Sequence, residues 1–210
     1  MDAALVLLDE QGLDGLSMRA LAGRLRVDPM ALYRHLDDKE ALLAAVCDSA
    51  LHEVSAEVAR RVSAEDLHWR AALEVFAAEM GDALVRHPGL VPVLVHAPVT
   101  AFGVQLGRDM LERCRAGGLP DDIAQDALVT LLAYVLGSAV LAQSASFETA
   151  EVAQIRAADP DDPAIRLWDS DVLERIAGVA TVLDGIEARA ARAAAVSPSG
   201  RGRGRRSRGG

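Results

Sequence analysis

The 210-residue chain is 51% apolar and only 3% aromatic, with alanine and leucine dominant. That composition favours packed helices over sheets, because both residues lose little side-chain freedom in a helix. The formal net charge of −9 argues at first against nucleic acid, but the final RGRGRRSRGG holds five arginines and no acid, so residues 1–200 carry −14 (−9 minus +5) and only a local face can decide the matter. No apolar run reaches the roughly 20 uncharged residues of a membrane span and no leader pattern opens the chain, so we expect a cytoplasmic protein with no membrane partner.

Residues 2–11 place Leu5 and Leu8 on one helical face, and Gly12 closes that helix. Ser17 is a good N-cap for MRALAGRL, in which Leu21 and Leu25, four apart, form the expected buried stripe. A tight break at Arg26–Val27 precedes a third helix, roughly Pro29 to Leu36, with Pro29 in the first turn, where its missing N–H costs nothing. A fourth helix opens near Asp37–Asp38, whose charges suit a helix N-terminus, and runs on through ARRV.

Beyond residue 65 the helical segments lengthen. HWRAALEVFAAEMGDALVRHPG ends at Pro88 and Gly89, and VTAFGVQLGRDMLERCRAGG ends in paired glycines, a frequent helix stop. PDDIAQDALVTLLAYVLGSAVLAQSA is apolar on more than one face, which implies burial on two sides. Residues 147–168, with ADPDDP inside, read as the longest irregular stretch. The final helix, 170–195, sets Val172, Ile176, Val179, Leu183 and Ile186 at three- and four-residue steps. The tail from Ser197 is rich in Gly, Arg, Ser and Pro and cannot build a core. The fold class is therefore all-α: a three-helix head over residues 1–46, a larger helical bundle over 47–196 and a disordered tail over 197–210.

Two short helices on one tight turn, the second carrying outward side chains, make a helix-turn-helix. Its second helix enters the DNA major groove, which admits one helix and exposes a readable pattern of donors and acceptors. Tyr33, Arg34 and His35 then point outward, while Leu32 and Leu36 hold the helix to the head. Taken singly, Tyr33 reads equally well as a core aromatic, and Arg34, His35 and Lys39 as ordinary surface groups. Clustered at one end of the head, they read better as a DNA-binding set.

The stretch AALVLLDEQGLDGLSMRALAGRLRVDPMALYRHLDDKEALLAAV resembles the DNA-binding head of TetR-family transcriptional regulators. The likeness rests on the Gly-Leu-x-Gly-Leu-Ser lead-in, the Arg-x-Leu-Ala helix, Leu-Tyr-x-His, and Lys-x-x-Leu-Leu, in order and at fixed spacing. RHPGL, AGGL, YVLGS and VLDGIEA resemble the tetracycline-repressor-type C-terminal domain.

Carried over position by position, the resemblance implies that Ser17 caps helix two near a phosphate and that Arg19 reaches phosphate or a base edge. Pro29, Met30, Ala31 and Arg34 occupy recognition-helix positions, Tyr33 and His35 clamp the backbone, and Lys39 meets a phosphate at the start of helix four. Two departures stand out. The turn position usually held by glycine is Arg26, which then needs a left-handed backbone at roughly 1 kcal/mol. The sequence also opens almost at helix one, so the N-terminal arm of many relatives is not expected here.

The resemblance further implies a one-component repressor: a homodimer on a palindromic double-stranded operator, released by a small-molecule effector. Residues 121–145 and 170–190 are the natural dimer surface, with Gly137, Ser138, Ala139, Gly178 and Gly185 allowing close approach. An effector pocket walled by Val95, Phe102, Leu106, Leu132 and Trp168 is expected beneath the 147–168 segment, suited to a hydrophobic, uncharged or weakly polar molecule. The polar set that holds a drug–magnesium complex in tetracycline repressors is not recognisable. The alternative is a protein that binds nucleic acid nonspecifically through its Arg/Gly tail. No GxSxG, P-loop, Rossmann or ExxH pattern supports an enzyme. The five histidines lack metal-ligand spacing, and Cys47 and Cys114 belong to no CxxC pair. No cofactor or metal is expected.

Overall fold

The computed structural model describes residues 2–65, 68–145, 149–166 and 177–196. Among them are eleven helices and no strand. The head comprises α1 (Asp2–Gly15), α2 (Met18–Leu25) and α3 (Pro29–Tyr33). Next come α4 (Lys39–Glu65), α5 (Trp69–Arg86), α6 (Leu90–His96), α7 (Ala101–Ala116) and α8 (Asp121–Ala145). The last three are α9 (Ala150–Ala158), α10 (Pro163–Arg166) and α11 (Ala177–Val196).

Local chemistry sets most of the boundaries. Gly12 adopts φ 69° and kinks α1 there, with one short turn following to Gly15; a side chain would resist that conformation. Ser17 caps α2 by accepting from the Ala20 N–H at 3.1 Å. Asp28 caps α3 through the Met30 N–H at 2.7 Å, and Asp38 caps α4 through the Ala41 N–H at 2.8 Å. The backbone turns between α2 and α3 at Arg26, the one non-glycine residue with positive φ (57°) among those described.

One apolar core runs through head and bundle, from Leu5, Leu8 and Leu21 through Leu42 and Val46 to Leu73, Leu131 and Leu183. The long α4 leaves the head and packs on α5, α6 and α7, so the expected domain boundary at 46/47 falls inside a continuous helix. α5 and α8 form the centre of the bundle, with α11 laid against both. Arg70 on α5 pairs with Asp184 and Glu187 on α11, and Arg189 on α11 pairs with Asp126 on α8.

Four expectations need correction. Leu25 is 46% exposed: Met18, Leu21 and Ala22 form the buried face of α2, and the helix ends at the Arg26 turn with Leu25 outside the core. The regular part of α3 stops at Tyr33, and Leu36 is reached by a turn in which its N–H bonds the Leu32 carbonyl. Residues 147–168 are not irregular throughout, because Thr149 caps α9 by accepting from the Val152 N–H and ADPDDP only separates α9 from α10. Finally, Asp121–Gln143 of α8 is long and apolar enough to cross a membrane by length and composition; its Ile123, Ala127, Leu131 and Val135 are buried in the bundle core. α6 was unforeseen, since Pro92 and three valines in residues 90–96 obscure a helical period. Of the expected final helix, residues 170–176 lie outside the described residues, and Val179 and Leu183 are buried as the periodicity requires.

Candidate nucleic-acid interface and internal cavity

The helix-turn-helix presents one coherent face. On α3 Met30 is 64% and Tyr33 46% exposed and Pro29 and Ala31 are half-buried, while Arg34 and His35, in the turn just after it, are exposed. Leu32 and Leu36 pack against the core. The outward set therefore includes an apolar surface, an aromatic hydroxyl and a guanidinium, the groups that meet thymine methyls, phosphates and base edges. Arg19 is exposed in the first turn of α2, two residues from the cap at Ser17.

Between Arg19 and Lys39 the chain carries five cations (Arg19, Arg24, Arg26, Arg34, Lys39) and three acids. Two of those acids, Asp28 and Asp38, are engaged as helix caps. Arg24 is engaged as well, in a two-pronged contact with Glu10 at 2.5 and 3.0 Å that ties α2 to α1 and holds the Glu10 carboxyl below its usual range. Lys39 donates through Nζ to the Leu13 carbonyl at 3.0 Å. That bond uses one of its three donors and pins the ammonium beside the head.

Inside the bundle a cavity of about 290 Å³ lies between α4, α5, the α6–α7 corner and α8. Leu106 and Leu132 line it as expected, together with Phe76, Met80, Met110 and Leu128. Val95 and Phe102 do not: Val95 points to solvent, and Phe102 stacks on His52 with ring centroids 3.6 Å apart. Trp168 lies outside the described residues. Polar groups are few. Cys47 forms part of the wall, its thiol pushed up from its ordinary pKa by burial and then by the charge of Asp48. Thr100 lines the cavity, caps α7 through the Gly103 N–H, and donates to Asp48 on α4.

Head and cavity meet at a joint that sequence reasoning missed. Asp9 on α1 accepts from the Gly89 N–H at 3.0 Å and bonds His87 Nδ1 at 2.9 Å, both at the corner between α5 and α6. A Cβ on Gly89 would stand 2.7 Å from the backbone carbon of Leu8, so only glycine lets the corner sit this close to α1. Gln143 on α8 donates to the Pro88 carbonyl of the same corner at 2.9 Å. The other end of α6 reaches Leu94 and Ala97 in the cavity wall. RHPGL was visible as a motif, but nothing in local sequence pairs it with Asp9.

A helix-turn-helix head joined to a helical bundle with an apolar cavity defines a class of DNA-binding regulators with a ligand-sized chamber. Residues 1–46 match the family model of bacterial regulatory proteins of the tetR family, and residues 63–164 match that of the tetracycline repressor-like C-terminal domain. An HTH-type transcriptional regulator of Saccharopolyspora erythraea is 30% identical over 79% of this chain and 71% of its own length. The transcriptional repressor DrrR1 of Streptomyces coeruleorubidus is 34% identical over 66% of this chain, which spans 50% of that relative. Among solved structures, the TetR family protein ActR of Streptomyces coelicolor in complex with actinorhodin superposes with a TM-score of 0.64 at 26% identity, covering 90% of this chain and 95% of its own. The chain belongs to the TetR family of transcriptional regulators.

Proposed function

We propose that this regulator is a repressor, holding a two-fold DNA operator as a homodimer and leaving it when a small, largely apolar molecule fills the cavity. The observation that carries this reading is the exposed set of Met30 and Tyr33 on α3 and Arg34 and His35 in the turn that follows it, turned outward while Leu32 and Leu36 anchor the segment beneath. In this reading Arg34 reads base edges, Ser17, Arg19, Tyr33, His35 and Lys39 hold phosphates, and Pro29, Met30 and Ala31 shape the helix start against the groove.

Dimerisation is supported by the surface of α8, where Val129, Ala133, Gly137 and Leu141 are exposed along one stripe. Beside it α11 presents the small residues Ala180, Gly185 and Ala188. Gly178 is used differently: its N–H donates to the Tyr134 hydroxyl at 3.0 Å within the chain.

Release follows from linkage. A ligand shifts an equilibrium only through unequal affinity for its two states, so the occupied cavity must favour a head position that no longer fits the operator. The route runs along α6, from Leu94 and Ala97 at the cavity to Gly89 and Asp9 at the head. The solved structure of ActR in complex with actinorhodin supports a ligand role for the bundle. The test is a titration of labelled operator with protein, with and without N-phenylnaphthylamine as a neutral apolar occupant. Weaker operator binding with the occupant, and weaker occupant binding with operator by the same factor, is the expected result. Equal affinities would leave a regulator controlled by abundance alone.

A further inference from the structure

Sixteen residues line the cavity, and none is Lys, Arg, His, Asp or Glu. A charge sits directly behind one wall residue. Asp48, half-buried on α4, accepts from the Thr100 hydroxyl, and Thr100 itself forms part of the lining. Asp48 neighbours Cys47, another wall residue, and its charge is felt at the Cys47 thiol. Among the described residues no Lys, Arg or His pairs with it. His52, one turn along α4, is turned to Phe102 instead. An apolar chamber thus sits beside one carboxylate that has no cationic partner among the described residues. The Thr100 hydroxyl donates a hydrogen bond to that carboxylate and accepts one from the Gly103 N–H, which leaves a lone pair on its oxygen and further acceptor sites on the carboxylate for a donor arriving from the cavity.

We propose that the cavity takes a hydrophobic amine, its apolar body against Phe76, Met80, Met110 and Leu132 and its ammonium at the Thr100–Asp48 pair. This rests on the reading of the cavity as the effector site, and it replaces the expectation of an uncharged effector with an apolar one bearing a single positive head. An ammonium supplies a cation and three donors, and a hydrogen bond between charged partners is about twice as strong as a neutral one. A carboxylate head meets like charge there. The chain's net charge of −9 also draws cations towards it and repels anions.

The test uses the full chain and three probes with one body: naphthylbutylamine, naphthylbutanol and naphthylbutyrate, each competing against N-phenylnaphthylamine fluorescence. The amine should displace the dye at about tenfold lower concentration than the alcohol, with the carboxylate weaker than both. Asp48→Asn keeps an acceptor for Thr100 while removing the charge. It should bring the amine level with the alcohol, both read against the dye affinity of that variant. Equal displacement by amine and alcohol in the native protein overturns the proposal without recourse to any variant. So does an amine preference that survives Asp48→Asn, which would leave Asp48 only as the fastening of α4 to α7. Dye that fails to bind, or that binds equally after Gly107→Trp fills the cavity, removes the effector site and this inference with it.

Discussion

Arg26 is where the head geometry leans hardest on one side chain. Its left-handed backbone, φ 57° and ψ 42°, costs an arginine roughly 1 kcal/mol that a glycine would not lose. Arg26→Gly should raise the thermal midpoint of unfolding; if it also weakens operator binding, the guanidinium's phosphate contact is what the strain is exchanged for. The strain was legible in sequence, because the turn motif demands that conformation whatever residue stands there. At the reading face, Tyr33→Ala should weaken all DNA sequences alike, whereas Arg34→Ala should also relax preference at particular bases by about 1–3 kcal/mol. Wild-type binding by both variants to a selected operator would remove α3 from the interface. Lys39→Ala should reduce the log–log salt slope by about one unit per site, with the Leu13 carbonyl as its only partner if the slope stays unchanged. Cys47 gives a readout inside the bundle. Burial raises its pKa, so less thiolate is present at neutral pH, and alkylation should be slow and quicken as pH rises. A bound amine should slow it further, and an unprotected Cys47 would place the ligand elsewhere.

At the scale of elements, helices with caps and apolar periods were legible, and pairings across the fold were not. Ser17, Asp38 and Pro29 each announce a helix start through chemistry confined to a few residues. α6 escaped because valines and a proline hide a helix held mainly by tertiary packing, with Leu90, Val91 and Val93 all buried. The cavity wall was half legible for the same reason. Leu106 and Leu132 lie on predictable helix faces, whereas Val95 and Phe102 depend on how α6 meets α7. The joint between α1 and the α5–α6 corner is the element-level device that matters most. Gly89→Ala forces a methyl against the Leu8 backbone and should cost about 1–3 kcal/mol in a denaturant titration. Asp9→Ala leaves the Gly89 N–H and His87 without their partner. We expect it to keep operator binding while blunting release by a cavity ligand, and full release in that variant would show that the signal passes by another route.

For the molecule as a whole, reading a two-fold operator requires two heads held by one interface. Charge placed on the exposed stripe of α8, where Val129 is 69% exposed, should break that interface. Val129→Asp combined with Leu141→Asp should sediment as a monomer and lose operator affinity, while a dimer that persists would move the interface off α8. Deleting residues 197–210 separates the two ways of binding nucleic acid. Specific binding should survive the loss of the five arginines, with some loss of nonspecific affinity. The most direct measurement is selection of genomic fragments by the purified full-length chain, followed by alignment of what it retains. A regulator of this kind should recover fragments sharing a two-fold motif, its half-sites centred about 10 base pairs apart or at a multiple of that spacing. Fragments without a common motif, retained in proportion to length and lost as salt rises, would contradict it.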